Sequence, residues 1–138
     1  MGNDDMNRKI IIVVMMVMVV LGLEAYTVYD DIFPKAEPIE QLEIGMLEPV
    51  KLYDNENIEI VISDEELQKL ITFINGAVAT RIMSVNDYPS VRPYYVVEIK
   101  KAERIFRYII YEEKGTTYVE LPYEGVYEID REVLEIFE

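Results

Sequence analysis

The residue types that carry most enzymatic chemistry are missing from this chain of 138 residues. It contains no histidine and no cysteine. A nucleophile activated by imidazole, a thiol nucleophile and the usual zinc and iron sites are therefore disfavoured. Its six glycines form no glycine-rich phosphate loop. We therefore expect no cofactor and no metal, and we favour a non-enzymatic protein.

Carboxylates are the remaining catalytic candidates. The chain has 27 acidic and 13 basic residues and a net charge of −14, which argues against binding nucleic acid. Among so many carboxylates, Asp87 and Glu120 are the least unsuitable pair for a carboxylate-dependent cell-wall hydrolase, which is the alternative function. A calcium-responsive structural domain, built on the oxygen-rich segment 54–57, is a second alternative. That segment lacks the length and central glycine of an EF-hand, and a solvated turn explains it more simply.

Recognition by polar and aromatic side chains is the chemistry that the sequence favours. Segment 84–89 combines turn-forming residues with a tyrosine, and further tyrosines alternate along the following strands. Tyrosine suits binding surfaces because it offers a large ring and a polar tip at low entropic cost. A rigid turn and ordinary cross-strand pairing are the structural alternatives. The candidate binding residues are Ser84, Asn86, Asp87, Tyr88, Tyr94, Tyr111 and Tyr118.

A helix and a meander of strands must position these residues. Ser63 followed by Glu66 is a capping box, and the apolar residues after it recur with helical spacing up to Asn75. Segments 94–101 and 104–111 pair as a hairpin that places Glu98 opposite Arg107 and collects apolar residues on the other face. Further strands are predicted at 49–53, 58–62, 79–85 and 126–129. A hairpin turning at Lys114-Gly115 adds a strand that contains Val119 and Leu121, and a short helix is predicted at 131–137, after Asp130.

The apolar run Ile10–Leu23 indicates a membrane segment. It has no charged or polar side chain, and Arg8 and Lys9 precede it. The run suits a signal peptide cleaved after Ala25, in which case the product is secreted. We favour an uncleaved single-pass anchor because Leu23 fits the cleavage motif poorly. The basic flank places the C-terminal domain outside the cytoplasm.

Three segments follow from these patterns. Residues 1–29 form a cytoplasmic tip and the transmembrane or signal segment, with Met1 or Met6 as the start. Residues 30–46, with two prolines and several glutamates, form a linker or extended arm. Residues 47–138 form an extracytoplasmic α+β domain, in which a mostly antiparallel sheet of five to seven strands carries one amphipathic helix on one face.

Two motifs resemble a known family. They are Ser84-Val85-Asn86-Asp87-Tyr88-Pro89 and the segment from Tyr118 to Tyr127, YVELPYEGVY. With the N-terminal apolar run, they are similar to small uncharacterised Gram-positive extracytoplasmic proteins that share a domain of unknown function. The resemblance implies a place and a fold but no activity. Many of these relatives are lipoproteins, whereas this chain lacks the lipobox cysteine. We expect a membrane-tethered binding module that contacts an envelope protein or the cell wall.

Overall fold

The computed structural model describes residues 2–46 and 50–138. The chain forms two compact units, Met1–Pro34 and Lys35–Glu138. The predicted start of the folded domain, residue 47, lies outside the described residues.

The first unit is one long helix. Helix α1 spans Gly2–Ile32, and its last backbone hydrogen bond joins Phe33 N to Tyr29 O at 2.9 Å. Pro34 disfavours a helical conformation at the preceding residue, which explains the end of the helix. The part from Met6 to Ile32 has an 18-residue window with a mean hydropathy of 2.4 and no buried residues. By length and composition, it is suited to a signal anchor or a membrane span.

The second unit is built on an open antiparallel sheet of six strands in the order β1-β3-β4-β5-β6-β2. The strands are β1 Val50–Asp54, β2 Val78–Ala79, β3 Tyr94–Lys101, β4 Arg104–Glu113, β5 Thr116–Leu121 and β6 Gly125–Glu128. Helix α2 spans Asp64–Asn75, and two short 3-10 helices span Ile44–Met46 and Arg131–Ile136. The predicted α+β class is confirmed.

The predicted register of the central hairpin is confirmed as well. Val97 pairs with Tyr108, and Glu98 pairs with Arg107. One face of the sheet forms the main core with the apolar side of α2, which contributes Leu70, Ile71 and Ile74. The capping box at Ser63 is present and fixes the start of α2.

The opposite face of the sheet also carries buried residues, which the alternating pattern did not predict. Val96, Ile109 and Tyr111 form a second buried cluster on this face, against which Val91 packs. Val91 belongs to an irregular segment, 80–93, which lines a cavity together with Tyr111 and Glu120 and which we call the covering loop. The strand predicted at 79–85 is accordingly reduced to Val78–Ala79.

Residues 35–46 run as an extended arm along the second unit. Ile39 and Leu42 are buried in the main core. The side-chain amide of Asn75 in α2 forms two hydrogen bonds with the backbone of Leu42. It accepts from Leu42 N at 2.8 Å and donates to Leu42 O at 3.0 Å. Buried apolar side chains together with backbone hydrogen bonds fix this segment on the domain, in contrast to a solvated linker.

The strand predicted at 58–62 forms only an isolated bridge, between Tyr53 and Glu59. Asp54 explains the turn before it, because its carboxylate accepts from the backbone N–H groups of Glu56 and Ile58 at 2.8 and 2.9 Å. The predicted C-terminal helix is the second 3-10 helix, and Asp130 caps it by accepting from Glu132 N at 3.0 Å.

Candidate functional site

The covering loop begins at a fixed point on the sheet. The backbone N–H and the hydroxyl of Thr80 both donate to Val126 O, at 3.1 and 2.7 Å. The Thr80 hydroxyl also accepts from Ile82 N at 3.1 Å. The Thr80 N–H bond continues the pairing of β2 with β6, but the Thr80 carbonyl accepts from Ala36 N of the arm at 3.2 Å. The pairing of β2 with β6 therefore ends here and the loop begins.

Ser84 clamps the loop to β5. Its hydroxyl donates to Glu120 Oε1 at 2.6 Å and accepts from Tyr123 N at 3.0 Å. Ser84 is 9% exposed and Glu120 is 6% exposed. A buried carboxylate requires hydrogen bonds to compensate for lost water. Ser84, a predicted binding residue, is therefore engaged within the fold, and so is Glu120, the carboxylate suggested for hydrolysis.

Tyr88 of the covering loop packs on the hairpin formed by β3 and β4. Its ring stacks on Tyr94 with centroids 5.7 Å apart and planes 28° from parallel. The guanidinium carbon of Arg107 lies 5.4 Å from the Tyr88 ring centroid, a geometry suited to a cation–π interaction. The Arg107 guanidinium is held in turn by Glu98 Oε1 at 3.1 Å, and the same oxygen accepts from the Tyr53 hydroxyl at 2.9 Å. Burial and then this hydrogen bond raise the pKa of Tyr53 far above its usual value.

Asp87 and Tyr123 meet beside this cluster. Hydrogen bonding to Asp87, with the charge of that carboxylate, raises the pKa of Tyr123. The Tyr123 side chain is 65% exposed. Its backbone has a φ of 66°, in the left-handed region that favours glycine. Glu124 N bonds to Leu121 O at 2.9 Å, so Tyr123 follows a proline at the third position of a tight turn where glycine or asparagine is preferred. Asp87, Arg107 and Tyr123 line one groove of about 380 Å³.

The other two predicted tyrosines lie on the same face but beneath the loop. Tyr111 and Tyr118 have ring centroids 5.7 Å apart. Tyr111 is 6% exposed and belongs to the second buried cluster, whereas Tyr118 is partly buried against it. Burial raises the pKa of Tyr111, and the Glu120 carboxylate raises it further. Tyr111 is thus a core residue, and substituting it with alanine would perturb the fold.

The outer side of the covering loop is apolar. Ile82, Met83 and Val85 are all exposed, and Met83 is 79% exposed. These side chains and Tyr88, which is also exposed, line one shallow cavity of about 140 Å³. We call Ile82, Met83, Val85, Tyr88 and Tyr123 the loop surface. Exposed apolar groups presented together on an anchored backbone are typical of an interaction site.

Residues 29–128 match the family DUF5301, which is described as "Domain of unknown function (DUF5300)". The chain belongs to this family. The match begins near the end of α1, includes the arm at 35–46, and ends at Glu128, the last residue of β6. The arm is therefore part of the family domain, as are both motifs that carried the resemblance. No curated protein and no solved structure matches the chain.

The sequence did not indicate which residues surround the candidate binding residues Asp87 and Tyr88. Glu98 and Arg107 were predicted only to lie opposite each other across the hairpin, and Tyr123 was not selected. Tyr123 follows proline and precedes Glu-Gly in a segment that carried the family resemblance, which is the signal that could have found it. Within the ranges 2–46 and 50–138, no group of three or more acidic side chains is placed to hold a metal ion.

Proposed function

We propose that the chain is a non-enzymatic, membrane-tethered module that binds a protein partner at the outer side of a Gram-positive cytoplasmic membrane. The loop surface is the proposed contact. The observation that carries the proposal is the combination of an apolar outer side with an anchored backbone: Met83 and Val85 are exposed, whereas Ser84 between them is buried and hydrogen-bonded to β5.

This alternation explains how the loop presents a binding surface. Ordinary exposed loops carry polar side chains and pay a large ordering cost when they bind. Here Ser84, and Tyr88 stacked on Tyr94, restrict the loop before any partner arrives. The partner then gains apolar burial from side chains that are already placed, and such preorganisation favours affinity.

Helix α1 is the proposed membrane tether. Its basic residues Arg8 and Lys9 precede the apolar run, and positive charge marks the cytoplasmic side of a membrane helix. The proposed orientation places residues 35–138 outside. We test it by treating intact expressing cells with protease. Loss of a C-terminal tag with retention of a protected N-terminal fragment supports the anchor, whereas a shortened chain in the medium indicates cleavage near Ala25.

Partner binding is tested by co-purification from detergent-solubilised membranes of the source cell. The variant Met83→Ser/Val85→Ser removes apolar area from the loop surface, and Val61→Ser/Val78→Ser is its matched control because both valines are exposed and neither belongs to that surface. We expect the first variant to lose at least about tenfold in partner recovery, since burial of each side chain contributes about 1.5 kcal/mol or more. Equal recovery with both variants would contradict the proposed surface.

No specific observation supports either the hydrolase or the calcium-responsive alternative. Glu120 is buried and hydrogen-bonded to Ser84, which suits a structural carboxylate better than a general acid or base open to substrate. In the calcium alternative, Asp54 would be a ligand, yet its carboxylate already accepts two backbone N–H groups within the turn.

A further inference from the structure

A second pocket lies between the extended arm and the main-core face of the sheet, opposite the loop surface. It has a volume of about 320 Å³, within the range of small-molecule sites. Pro38 and Ile39 of the arm line one side, and Tyr108 and Tyr127 of the sheet line the other. The pocket opens on the main-core side of the sheet, and at its edge it shares Phe106, Leu121 and Glu124 with the groove that contains Tyr123.

The pocket contains a hydroxyl group that has no hydrogen-bond partner in the described part of the chain. Tyr108 is 2% exposed, and its hydroxyl forms no hydrogen bond with any residue in the described part of the chain. Among the described residues, the side-chain atoms that lack both solvent contact and a hydrogen-bond partner are Glu112 Oε2 and Thr117 Oγ1. The Tyr108 hydroxyl is not one of them, and because Tyr108 lines the pocket, we take its hydroxyl to be open to that space. Buried hydroxyl groups are nearly always hydrogen-bonded. By contrast, the neighbouring Tyr127 hydroxyl donates to Glu37 O at 2.7 Å.

Carboxylates stand at the mouth of the pocket. Glu37, Glu40 and Glu124 all line it. Glu40 is neutralised by an ion pair with Lys101, whereas Glu37 and Glu124 form no ion pair among residues 2–46 and 50–138. The mouth therefore carries uncompensated negative charge. Burial, and then the charges of Glu124 and Glu40, raise the pKa of Tyr108 to about 12. The phenol is consequently neutral at physiological pH.

We propose that this pocket binds a protonated alkylamine. The ammonium group would donate to the Glu37 and Glu124 carboxylates and to the Tyr108 phenol oxygen, and the carbon chain would contact the apolar wall at Ile39. A metal ion fits less well, because no group of three acidic side chains in the described residues is placed to hold one. An alkylammonium ion has three N–H donors and an apolar carbon chain. The donors match the carboxylates at the mouth and the phenol oxygen inside the pocket, and the carbon chain matches the apolar wall.

The arm that closes the pocket is placed by a close approach to β6. A Cβ added at Gly125 would lie 2.3 Å from Ala36 Cβ and 3.3 Å from the Tyr127 hydroxyl. Glycine at this position therefore lets the arm lie against the sheet. The same contact places Glu37, the next residue along the arm, at the mouth.

The test is calorimetric titration of the full chain in non-ionic detergent micelles. The probes are butylamine and Nα-acetyl-lysine methylamide, and butan-1-ol is the neutral control. We expect saturable amine binding with a dissociation constant of about 1 mM and no binding of the alcohol. Binding of butylamine alone identifies a free amine as the ligand, and binding of both probes identifies a lysine side chain of a polypeptide.

Two variants locate the site. Tyr108→Phe keeps the ring and removes the hydroxyl, and Glu124→Gln changes an exposed residue and leaves the core intact. We expect each to weaken butylamine binding about fivefold, the effect of one lost hydrogen bond or ion pair. Tyr111→Phe and Glu128→Gln are the matched controls and should bind as the wild type does. Absence of saturable amine binding, equal binding of the alcohol, or unchanged affinity in Glu124→Gln would overturn the proposal.

Discussion

Replacing Ser84 with alanine should destabilise the second unit far more than loss of a surface hydroxyl would. The Ser84 hydroxyl satisfies two groups, the Glu120 carboxylate at 2.6 Å and the Tyr123 N–H at 3.0 Å. A hydrogen bond to a charged group contributes about 1.5 to 3 kcal/mol and a neutral one about 1 kcal/mol. Because Glu120 is 6% exposed, water cannot readily replace the lost donor. We therefore expect the free energy of unfolding to fall by about 3 kcal/mol.

The assay is equilibrium urea unfolding of the full chain in detergent micelles, followed by near-ultraviolet circular dichroism. Nine of the 11 tyrosines follow residue 35, so this signal reports mainly on the second unit. For a unit of this size, a loss of about 3 kcal/mol corresponds to a fall in Tm of roughly 10 to 15 °C.

A double-mutant cycle provides the control. In Glu120→Gln the carboxylate charge is removed, so Ser84→Ala should cost less in that background, and the difference measures the coupling between the two side chains. A loss below about 0.5 kcal/mol for Ser84→Ala, the range of ordinary surface substitutions, would refute the view that Ser84 clamps the covering loop.

Three further predictions concern the turn, the arm and alkaline pH. Tyr123→Gly should leave the free energy of unfolding within about 1 kcal/mol of the wild type, because glycine accepts the φ of 66°; the same variant should lose partner recovery in co-purification. Gly125→Ala should lower the free energy of unfolding by about 1 to 3 kcal/mol in urea melts, because the new methyl group collides with Ala36. Stability should fall as pH rises from about 10 through about 12, because the folded state keeps the Tyr108 phenol protonated after the unfolded chain has released that proton. Urea melts at pH 8 and pH 11 test this, and Tyr108→Phe should lose less stability between them.

Local patterns predicted the central elements of the second unit correctly. The capping box at Ser63 and the helical spacing after it depend on neighbours within one or two turns. The hairpin of β3 and β4 was also predictable, because only one register pairs Glu98 with Arg107 while keeping the apolar residues together.

The covering loop was not predictable from alternation. A strand pattern shows that one face differs from the other but cannot show whether an irregular segment lies on the second face. The decisive interaction joins Ser84 to Glu120, 36 residues apart, and no local signal links them. Burial of the arm was not predictable for a similar reason: Ile39 and Leu42 stand among prolines and glutamates, and their burial depends on the position of α2. The positive φ of Tyr123 arises from the turn after β5 and has no signature in residue type.

Site-specific photo-crosslinking tests the central proposal most directly. A photoreactive side chain is placed at position 83 on the loop surface or at position 61, which is 89% exposed but lies away from that surface, and the full chain is irradiated in membranes of intact source cells. The account predicts a discrete adduct with a protein from position 83 and none from position 61. No adduct from position 83, or the same adducts from both positions, would contradict the claim that the covering loop is the binding surface.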